Sequence, residues 1–213
     1  MQRQLILKMS MSIDGFVGGP NGEVDWLFRS MDDRAARWVM DTLSQAGVHI
    51  MGSRTYHDMV AYWPSSTEPF AAPMNEIPKV VFSRKGISPG TAPTTAALAD
   101  ASRIRDARGD VPAPTPAHVA ASWSEARVAR DLVEEIARLK QQDGKIILAH
   151  GGASFAQSLV EHDLVDEYRL LVHPVVLGRG LPIFSRAPAG FDFRLVSTTA
   201  FPSGVIANVY QRA

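Results

Sequence analysis

The stretch that most constrains the fold is Lys145-Ile146-Ile147-Leu148-Ala149-His150-Gly151-Gly152-Ala153-Ser154-Phe155. Residues of buried-strand character run into two glycines, and a helical pattern to about Glu161 begins directly behind them. Glycine at such a junction lets the backbone approach a ligand where a side chain would block it. The helix that follows directs unpaired N–H groups and the positive end of its dipole at the same spot. The segment reads as a seat for a phosphate or pyrophosphate. It reads equally as a tight strand-to-helix connection that uses glycine for steric reasons alone.

Other segments repeat the theme. Residues 4–11 form a strand pattern that leads into Ser12-Ile13-Asp14-Gly15-Phe16-Val17-Gly18-Gly19-Pro20-Asn21-Gly22, a loop with the composition of a mobile one. Ala36, Val39, Met40 and Leu43 share one face of a helix over 32–45, which Gly47 stops. Residues 48–51 are a short strand, followed by Gly52-Ser53-Arg54-Thr55 and a helix to about Val60. Residues 79–82 are a strand ending at Ser83-Arg84. A Pro/Ala-rich surface excursion over 85–116 contains Pro89, Pro93, Pro112 and Pro114, with a short helix near 96–105. Residues 117–121 suit a short strand. Ser122-Trp123-Ser124-Glu125 has capping-box form, and Val128, Leu132, Val133, Ile136 and Leu139 line a helix behind it that Gly144 ends. A strand over 167–172, a turn-rich extension over 174–180, and a hairpin of 194–201 with 205–211 complete the chain. Strands alternating with helices predict an α/β fold with a mixed, mostly parallel sheet covered on both faces, closed by an antiparallel C-terminal hairpin.

Bulk composition narrows the function classes. The 213 residues suit one domain, since no long polar linker divides them. Lys+Arg and Asp+Glu both total 22, and this zero net charge speaks against bulk nucleic-acid or membrane-surface binding. Cysteine is absent, which removes disulfides, thiol catalysis and thiolate metal sites. No apolar run is long enough to span a bilayer, and the N-terminus has no signal-peptide architecture, so a cytoplasmic protein is expected. The histidines show no metal-ligand spacing, and no metal is expected. His173 reads as a packed strand-end residue, and Asp166-Glu167 as a solvated or dimer-edge pair.

Three predicted strands thus end in candidate ligand turns, at Gly52-Ser53-Arg54-Thr55, Ser83-Arg84 and Gly151-Gly152-Ala153-Ser154. In open α/β sheets, ligands bind outside the carboxyl ends of strands, so these turns are expected to converge. Two arginines, hydroxyls and free helix N–H groups together suit a pyrophosphate with a further phosphate.

The ordered motifs also resemble a known family. Met9-Ser10-Met11-Ser12-Ile13-Asp14-Gly15-Phe16, Met51-Gly52-Ser53-Arg54-Thr55-Tyr56 and Lys79-Val80-Val81-Phe82-Ser83 are similar to the dihydrofolate reductase-like family. The specific likeness is to the C-terminal reductase domain of the bifunctional riboflavin biosynthesis deaminase-reductase. His150-Gly151-Gly152-Ala153, Leu164-Val165-Asp166-Glu167-Tyr168, Pro174-Val175-Val176-Leu177-Gly178-Arg179-Gly180 and Ser203-Gly204-Val205 continue it. It covers nearly the whole chain except 85–116, which is longer than the family's usual segment. No deaminase-like stretch precedes it, which points to a stand-alone reductase.

The resemblance implies NADPH, in preference to NADH. It assigns Val17, Gly18, Gly52, Ser53, Arg54, Thr55, Ser83, Arg84, His150, Gly151, Gly152, Ala153, Ser154 and Phe155 to the cofactor, with Gly151-Gly152 often joined by a cis peptide. The family more often has arginine where Ser53 stands, which leaves the 2′-phosphate to Arg54 and Arg84. Asp14 is the candidate catalytic group, orienting substrate or relaying a proton, or else a local turn-former before Gly15. Met9, Asp14, Trp26, Met59, Gly178, Arg179 and Phe184 are the substrate candidates, and Trp26, Met59, Trp63 and Phe184 could wall a flat heterocycle. A second phosphate would have only Arg179 and Lys8. The buried carboxylate of true dihydrofolate reductases aligns near Met31, beside Asp32 and Asp33.

The expected activity is hydride transfer from NADPH to a C=N or C=O carbon of a pteridine-, pyrimidine- or ribosylamine-like substrate. It would resemble 5-amino-6-(5-phosphoribosylamino)uracil reductase. The alternatives are a nucleotide-binding protein without turnover and a true dihydrofolate reductase. A homodimer through the C-terminal strands is implied, with no nucleic-acid or membrane partner.

Overall fold

The strand predicted over 4–11 forms as β1 (Leu5–Ser12), and its neighbours make it the axis of the structure. The computed structural model describes residues 2–87, 95–188, 190 and 192–213; Pro89 and Pro93 of the Pro/Ala-rich excursion lie outside them. After β1 come α1 (Asp25–Arg29), α2 (Asp33–Ser44), β2 (Ala46–Gly52), α3 (Ser53–Tyr62), a 3-10 turn (Trp63–Ser65), α4 (Ala71–Glu76) and β3 (Lys79–Phe82). Then follow α5 (Ala96–Ala107), α6 (Ala117–Ser124), β4 (Arg127–Ala129), α7 (Leu132–Lys140), β5 (Ile146–Ala149), α8 (Ala153–Glu161), β6 (Glu167–His173), β7 (Phe193–Ala200) and β8 (Ile206–Arg212).

All these strands join one sheet in the order β4-β3-β2-β5-β1-β6-β8-β7. Neighbours from β4 to β6 are parallel, whereas β8 runs antiparallel to both β6 and β7. This is the mixed sheet the alternating pattern predicts. Side chains alternate between its faces. Leu5, Leu7, Ile50 and Ile147 pack against Ile136 and Leu139 of α7 and Phe155, Ala156 and Leu159 of α8. Ile6, Met51, Val81, Leu148 and Leu171 pack on the other face against α2, α3, α4 and α6. Each such fully buried aliphatic side chain contributes about 1.5–3 kcal/mol.

Local chemistry overturns several boundary readings. Residues 117–121 are helical in α6, as their alanines favour, and do not form a strand. The Ser122–Glu125 capping box opens no helix. Ser122 and Trp123 end α6, with the Ser122 hydroxyl donating to the Asn75 carbonyl and the Trp123 indole to Asn75 Oδ1 at 2.8 Å. The chain then places Val128 in β4, and α7 starts later under the cap of Asp131, whose carboxylate accepts from the Glu134 amide. Gly47 lies inside β2 at a register irregularity, where a Cβ would stand 3.0 Å from both Arg3 and Lys145 side-chain atoms. Nor are Asp166 and Glu167 a solvated pair. Asp166 accepts from the Leu5 amide and pairs with Lys140, while buried Glu167 pairs with Arg169 at 2.7 Å.

One buried charge has no carboxylate paired with it among the described residues. Lys79 is 3% exposed. Its ammonium donates to the Asn75 carbonyl and Ser122 Oγ and lies 4.4 Å from the Trp123 ring centre. Burial lowers Lys79 to about 8. A folded-state value below the unfolded one means the unfolded chain binds more protons between pH 8 and 10.5, so stability rises with pH across that window. Urea unfolding at pH 7.5 and 9.5 is expected to show a gain of roughly 1–3 kcal/mol in the parent chain and a smaller gain in Lys79→Met.

Candidate functional site

The unequal pairing of β1 creates a crevice. β5 stops at Ala149 beside Leu7, while β1 continues along β6 until Ser12 meets His173. From β1 the chain passes to α2 on one face of the sheet, and from β5 it passes to α8 on the other. The chain therefore parts at the carboxyl ends of β1 and β5, the kind of switch point where open α/β sheets bind ligands.

Two helices begin at this rim. Gly52 and Gly152 are the N-cap residues of α3 and α8, and neither helix end has a side-chain cap. By contrast α2, α5 and α7 are capped by Asp32, Thr95 and Asp131. Thr55 Oγ1 ties the two uncapped ends together by accepting the Gly152 N–H at 2.7 Å. The Gly151-Gly152 peptide is cis, as the family likeness implies. A Cβ on Gly151 would stand 3.0 Å from Met9, and one on Gly52 would stand 3.3 Å from Phe155. Glycine spares both turns these tight contacts. Arg54 and Arg84 are exposed at the ends of the adjacent strands β2 and β3, so the three predicted turns share one rim.

Not every nearby residue faces outward. The Ser83 hydroxyl donates to the Gly86 carbonyl at 2.6 Å, which closes its own turn, and Arg84 is exposed within that turn. Phe155 is a core residue, stacked on Phe82 with ring centres 5.3 Å apart. Ala153 is buried and Ser154 exposed, while Ser53 is half-buried.

The stretch after β1, read as a mobile loop, is stitched to the stretch after β6. Ile13 N–H donates to Val175, Val17 N–H to Leu181, and Leu181 N–H to Gly18. A Cβ on Gly180 would lie 2.3 Å from the Gly18 oxygen. Asp14 closes the seam, since its two carboxylate oxygens accept the Leu177 and Gly178 amides at 3.1 and 2.7 Å. The Ser12 hydroxyl, then the Gly178 and Leu177 amides, hold the Asp14 carboxyl below its usual range. Asp14 thereby ties the loop after β1 to the loop after β6. Gly178 and Arg179 are exposed there. The 85–116 excursion also reaches this end, because Asp100 of α5 accepts the Val24 and Asp25 amides at the start of α1.

The proposed aromatic wall is divided by the sheet. Trp26 meets His173 edge-on at 5.3 Å, and Met59 and Trp63 pack on the same face. Phe184 packs with Tyr168 and Phe193 on the opposite face, where Met9 also lies. Met59 and Trp63 thus pack on one face of the sheet and Phe184 on the other. Met31 supplies no carboxylate, and neighbouring Asp32 is committed to capping α2 and to the Ser203 amide.

A buried basic face escaped the sequence reading. His150 Nε2 lies 2.7 Å from His49 Nδ1, and His49 Nε2 lies 3.1 Å from the Pro73 carbonyl. Burial lowers His49 to about 4, and burial with the neighbouring His49 lowers His150 well below its usual value. His173 bonds Ser30 through Nδ1 at 2.8 Å and is lowered to about 4, mainly by burial. Lys8 adds repulsion to both His150 and His173. Strand alternation places Lys8, His49, His150 and His173 on one face, a signal that histidine spacing along the chain does not give.

At the far end of the sheet, a groove of about 650 Å³ is lined by Arg3, Lys79, His118, Glu125 and Arg127 among others. Arg3 bonds the Lys145 carbonyl, and Arg127 and Arg138 pair with Glu135, so its cations are largely engaged. Among the described residues no acidic or histidine group could hold a metal, and no helix is long and apolar enough to cross a membrane.

Comparison with known proteins places these features in a family. The sequence pattern of the RibD C-terminal domain matches residues 3–207. The uncharacterized protein YyaP of Bacillus subtilis (strain 168) is 31% identical over 98% of this chain and 95% of its own. Among solved structures, a Shewanella sp. PV-4 protein provisionally named for riboflavin biosynthesis superposes with a TM-score of 0.68 at 18% identity, over 100% of this chain and 99% of that one. The Thermotoga maritima diaminohydroxyphosphoribosylaminopyrimidine deaminase/5-amino-6-(5-phosphoribosylamino)uracil reductase gives 0.63 at 17% identity, over 100% of this chain and 57% of its own. Dihydrofolate reductase from Enterococcus faecalis, complexed with NADP(H), gives 0.57 at 12% identity, over 100% and 98%. At these identities the structures speak to the fold, which is dihydrofolate reductase-like.

The Asp14 seam has a direct readout. Asp14→Ala is expected to speed hydrogen exchange of the Leu177 and Gly178 amides by roughly tenfold or more, with β1 amides unchanged.

Proposed function

The chain belongs to the RibD C-terminal domain family, and from that premise we propose that it is an NADPH-dependent reductase acting on a flat pyrimidine-, pteridine- or ribosylamine-like substrate. One observation carries the reading: two helix N-termini without side-chain caps stand side by side at the β1–β5 crevice, joined by Thr55 and Gly152 and flanked by Arg54 and Arg84. Such ends gather N–H donors and positive dipole where a pyrophosphate needs them. The same rim offers two arginines for an additional phosphate, which favours NADPH over NADH. The Enterococcus neighbour holds NADP(H) on the same fold, which supports the reading.

The residues fit such a cofactor. Amides at the starts of α3 and α8 would bind the pyrophosphate, and Arg54 with Arg84 the 2′-phosphate. Glycine at 52, 151 and 152 keeps the surface open to close approach. The bound cofactor would supply the hydride, while the chain supplies placement and polarity. The seam held by Asp14 would shelter the end of β1 from water, and Trp26, Met59 and Trp63 would wall the substrate on one face of the sheet. The commitment of Asp32 as a helix cap speaks against folate reduction, which the family likeness places near a free carboxylate. A riboflavin-type ribosylaminopyrimidine, a cytoplasmic setting and a homodimer complete the proposal. Exposed Leu195, Val196 and Ile206 on the β7–β8 hairpin would give such a dimer an apolar surface.

Fluorescence titration should show saturable NADPH binding, with Arg54→Gln and Arg84→Gln each weakening it by roughly 10- to 100-fold and eroding the preference over NADH. Loss of reduced-nicotinamide absorbance with a pyrimidine or pteridine acceptor would establish turnover. Binding with no oxidation across such acceptors would make the protein a nucleotide binder, and indifference to both nicotinamide cofactors would end the proposal.

A further inference from the structure

The Pro/Ala-rich excursion grips the elements that carry Trp26, Met59 and Trp63. Its helix α5 packs against α1 and α3 yet contains no buried residue, so it is docked on the core and not part of it. Thr95, at its start, hydrogen-bonds Asp58 of α3, whose carboxyl is raised by burial and drawn back by Thr95 and then Arg54. Asp100, in its middle, accepts the Val24 and Asp25 amides at 2.9 and 3.1 Å. Toward its end, the Arg105 guanidinium lies 5.3 Å from the Tyr62 ring centre. Behind the helix, the Ala113 N–H donates at 2.8 Å to the carbonyl of Ser65, in the 3-10 turn that begins at Trp63. Trp26 on α1, Met59 on α3 and Trp63 on that turn thus stand on elements the excursion holds.

Asp100 matters most, because α1 cannot hold its own place. The helix has 5 residues, and Val24 at its N-cap offers no side-chain acceptor. So short a helix is marginal without outside support. Asp100 supplies the acceptor from α5. Its Oδ2 takes both amides, while its Oδ1 takes the Arg103 guanidinium at 2.7 Å. The Asp100 side chain is 14% exposed, so water competes weakly for these bonds. From that fixed start α1 sets Trp26 edge-on to His173, and Ser30 just behind the helix reaches His173 Nδ1. A binding wall works only when its side chains are held within roughly 0.5 Å of their productive places.

We propose that Asp100 is a positioning residue for the substrate: reaching from α5 to cap α1, it fixes Trp26 in the wall against which a flat pteridine- or pyrimidine-like ring rests. This rests on the reductase reading of the crevice and gives the excursion its part in it. The Thr95 end of α5 touches the cofactor side, through Asp58 and Arg54, whereas Asp100 serves the substrate side alone. Because α5 adds no buried side chain to the core, loosening its grip on α1 changes ring binding without unfolding the protein.

The test titrates lumazine, a fluorescent flat pteridine, and separately NADPH into the full chain, and the parent protein should bind both. Asp100→Ala should weaken lumazine by roughly tenfold or more, leave NADPH within about twofold, and speed hydrogen exchange across residues 24–29 by roughly tenfold. Asp100→Asn keeps an oxygen for the two amides and should hold lumazine within about threefold of the parent. A general loosening would weaken both ligands, and asparagine would not rescue it. Unchanged lumazine affinity in Asp100→Ala, equal loss of lumazine and NADPH, no rescue by Asp100→Asn, unfolding of Asp100→Ala, or no lumazine binding by the parent would each overturn the inference. If lumazine behaves as expected while no chain binds NADPH, the reductase falls and the brace stands. If NADPH binds and Asp100→Ala leaves lumazine unchanged, the brace alone falls.

Discussion

The arrangement of the molecule depends on how far β1 is paired on each side. Toward β5 the parallel ladder ends at Leu7, yet toward β6 it continues to Ser12. The unpaired length of β1 has to be satisfied by something other than a neighbouring strand. Here the Gly151-Gly152 turn closes over Met9 at one side, and the seam between the loops after β1 and β6 covers the end. The crevice and its lining thus follow from one mismatch in strand length. The helices that flank it follow from the opposite crossings made by α2 and α8.

Electrostatics separate the two ends of the sheet. At the carboxyl rim, Gly52 and Gly152 leave two helix N-termini open, and Arg54 and Arg84 stand beside them. At the amino rim, Arg3, Arg127 and Arg138 are tied to carbonyls or to Glu135. A groove exists there, but its cations already have partners and the adjoining helices present their C-termini. The zero net charge of the chain hides this contrast, because free positive character is concentrated by topology and not by composition.

Much of this was legible in the residues. The Gly-Gly junction, Arg54 and Arg84 announce a shared rim because parallel strands bring their carboxyl ends together. The alternation of helices and strands announces the sheet. What the sequence hid were features that depend on contacts between distant segments. Asp14 reads as a group that orients substrate or relays a proton, or as a turn-former, and nothing in the sequence shows that Leu177 and Gly178 donate to it. Phe184 looks like a partner for Trp26 until the sheet is seen to lie between them. The false start at Ser122 arose because a capping-box pattern also fits the last turn of a helix held by Asn75. His49 and His150 are 101 positions apart, and only the β2–β5 pairing makes them a bonded pair.

The central claim is that a phosphorylated dinucleotide lies across the β1–β5 crevice with its pyrophosphate at the starts of α3 and α8. A crystal structure of the chain with NADPH bound tests it most directly. The account predicts phosphate oxygens within hydrogen-bonding distance of amides at the beginnings of both helices, with Arg54 and Arg84 at the adenosine end. Cofactor density in the amino-end groove between Arg3, Lys79 and Arg127, with the Gly52 and Gly152 turns untouched, would contradict it.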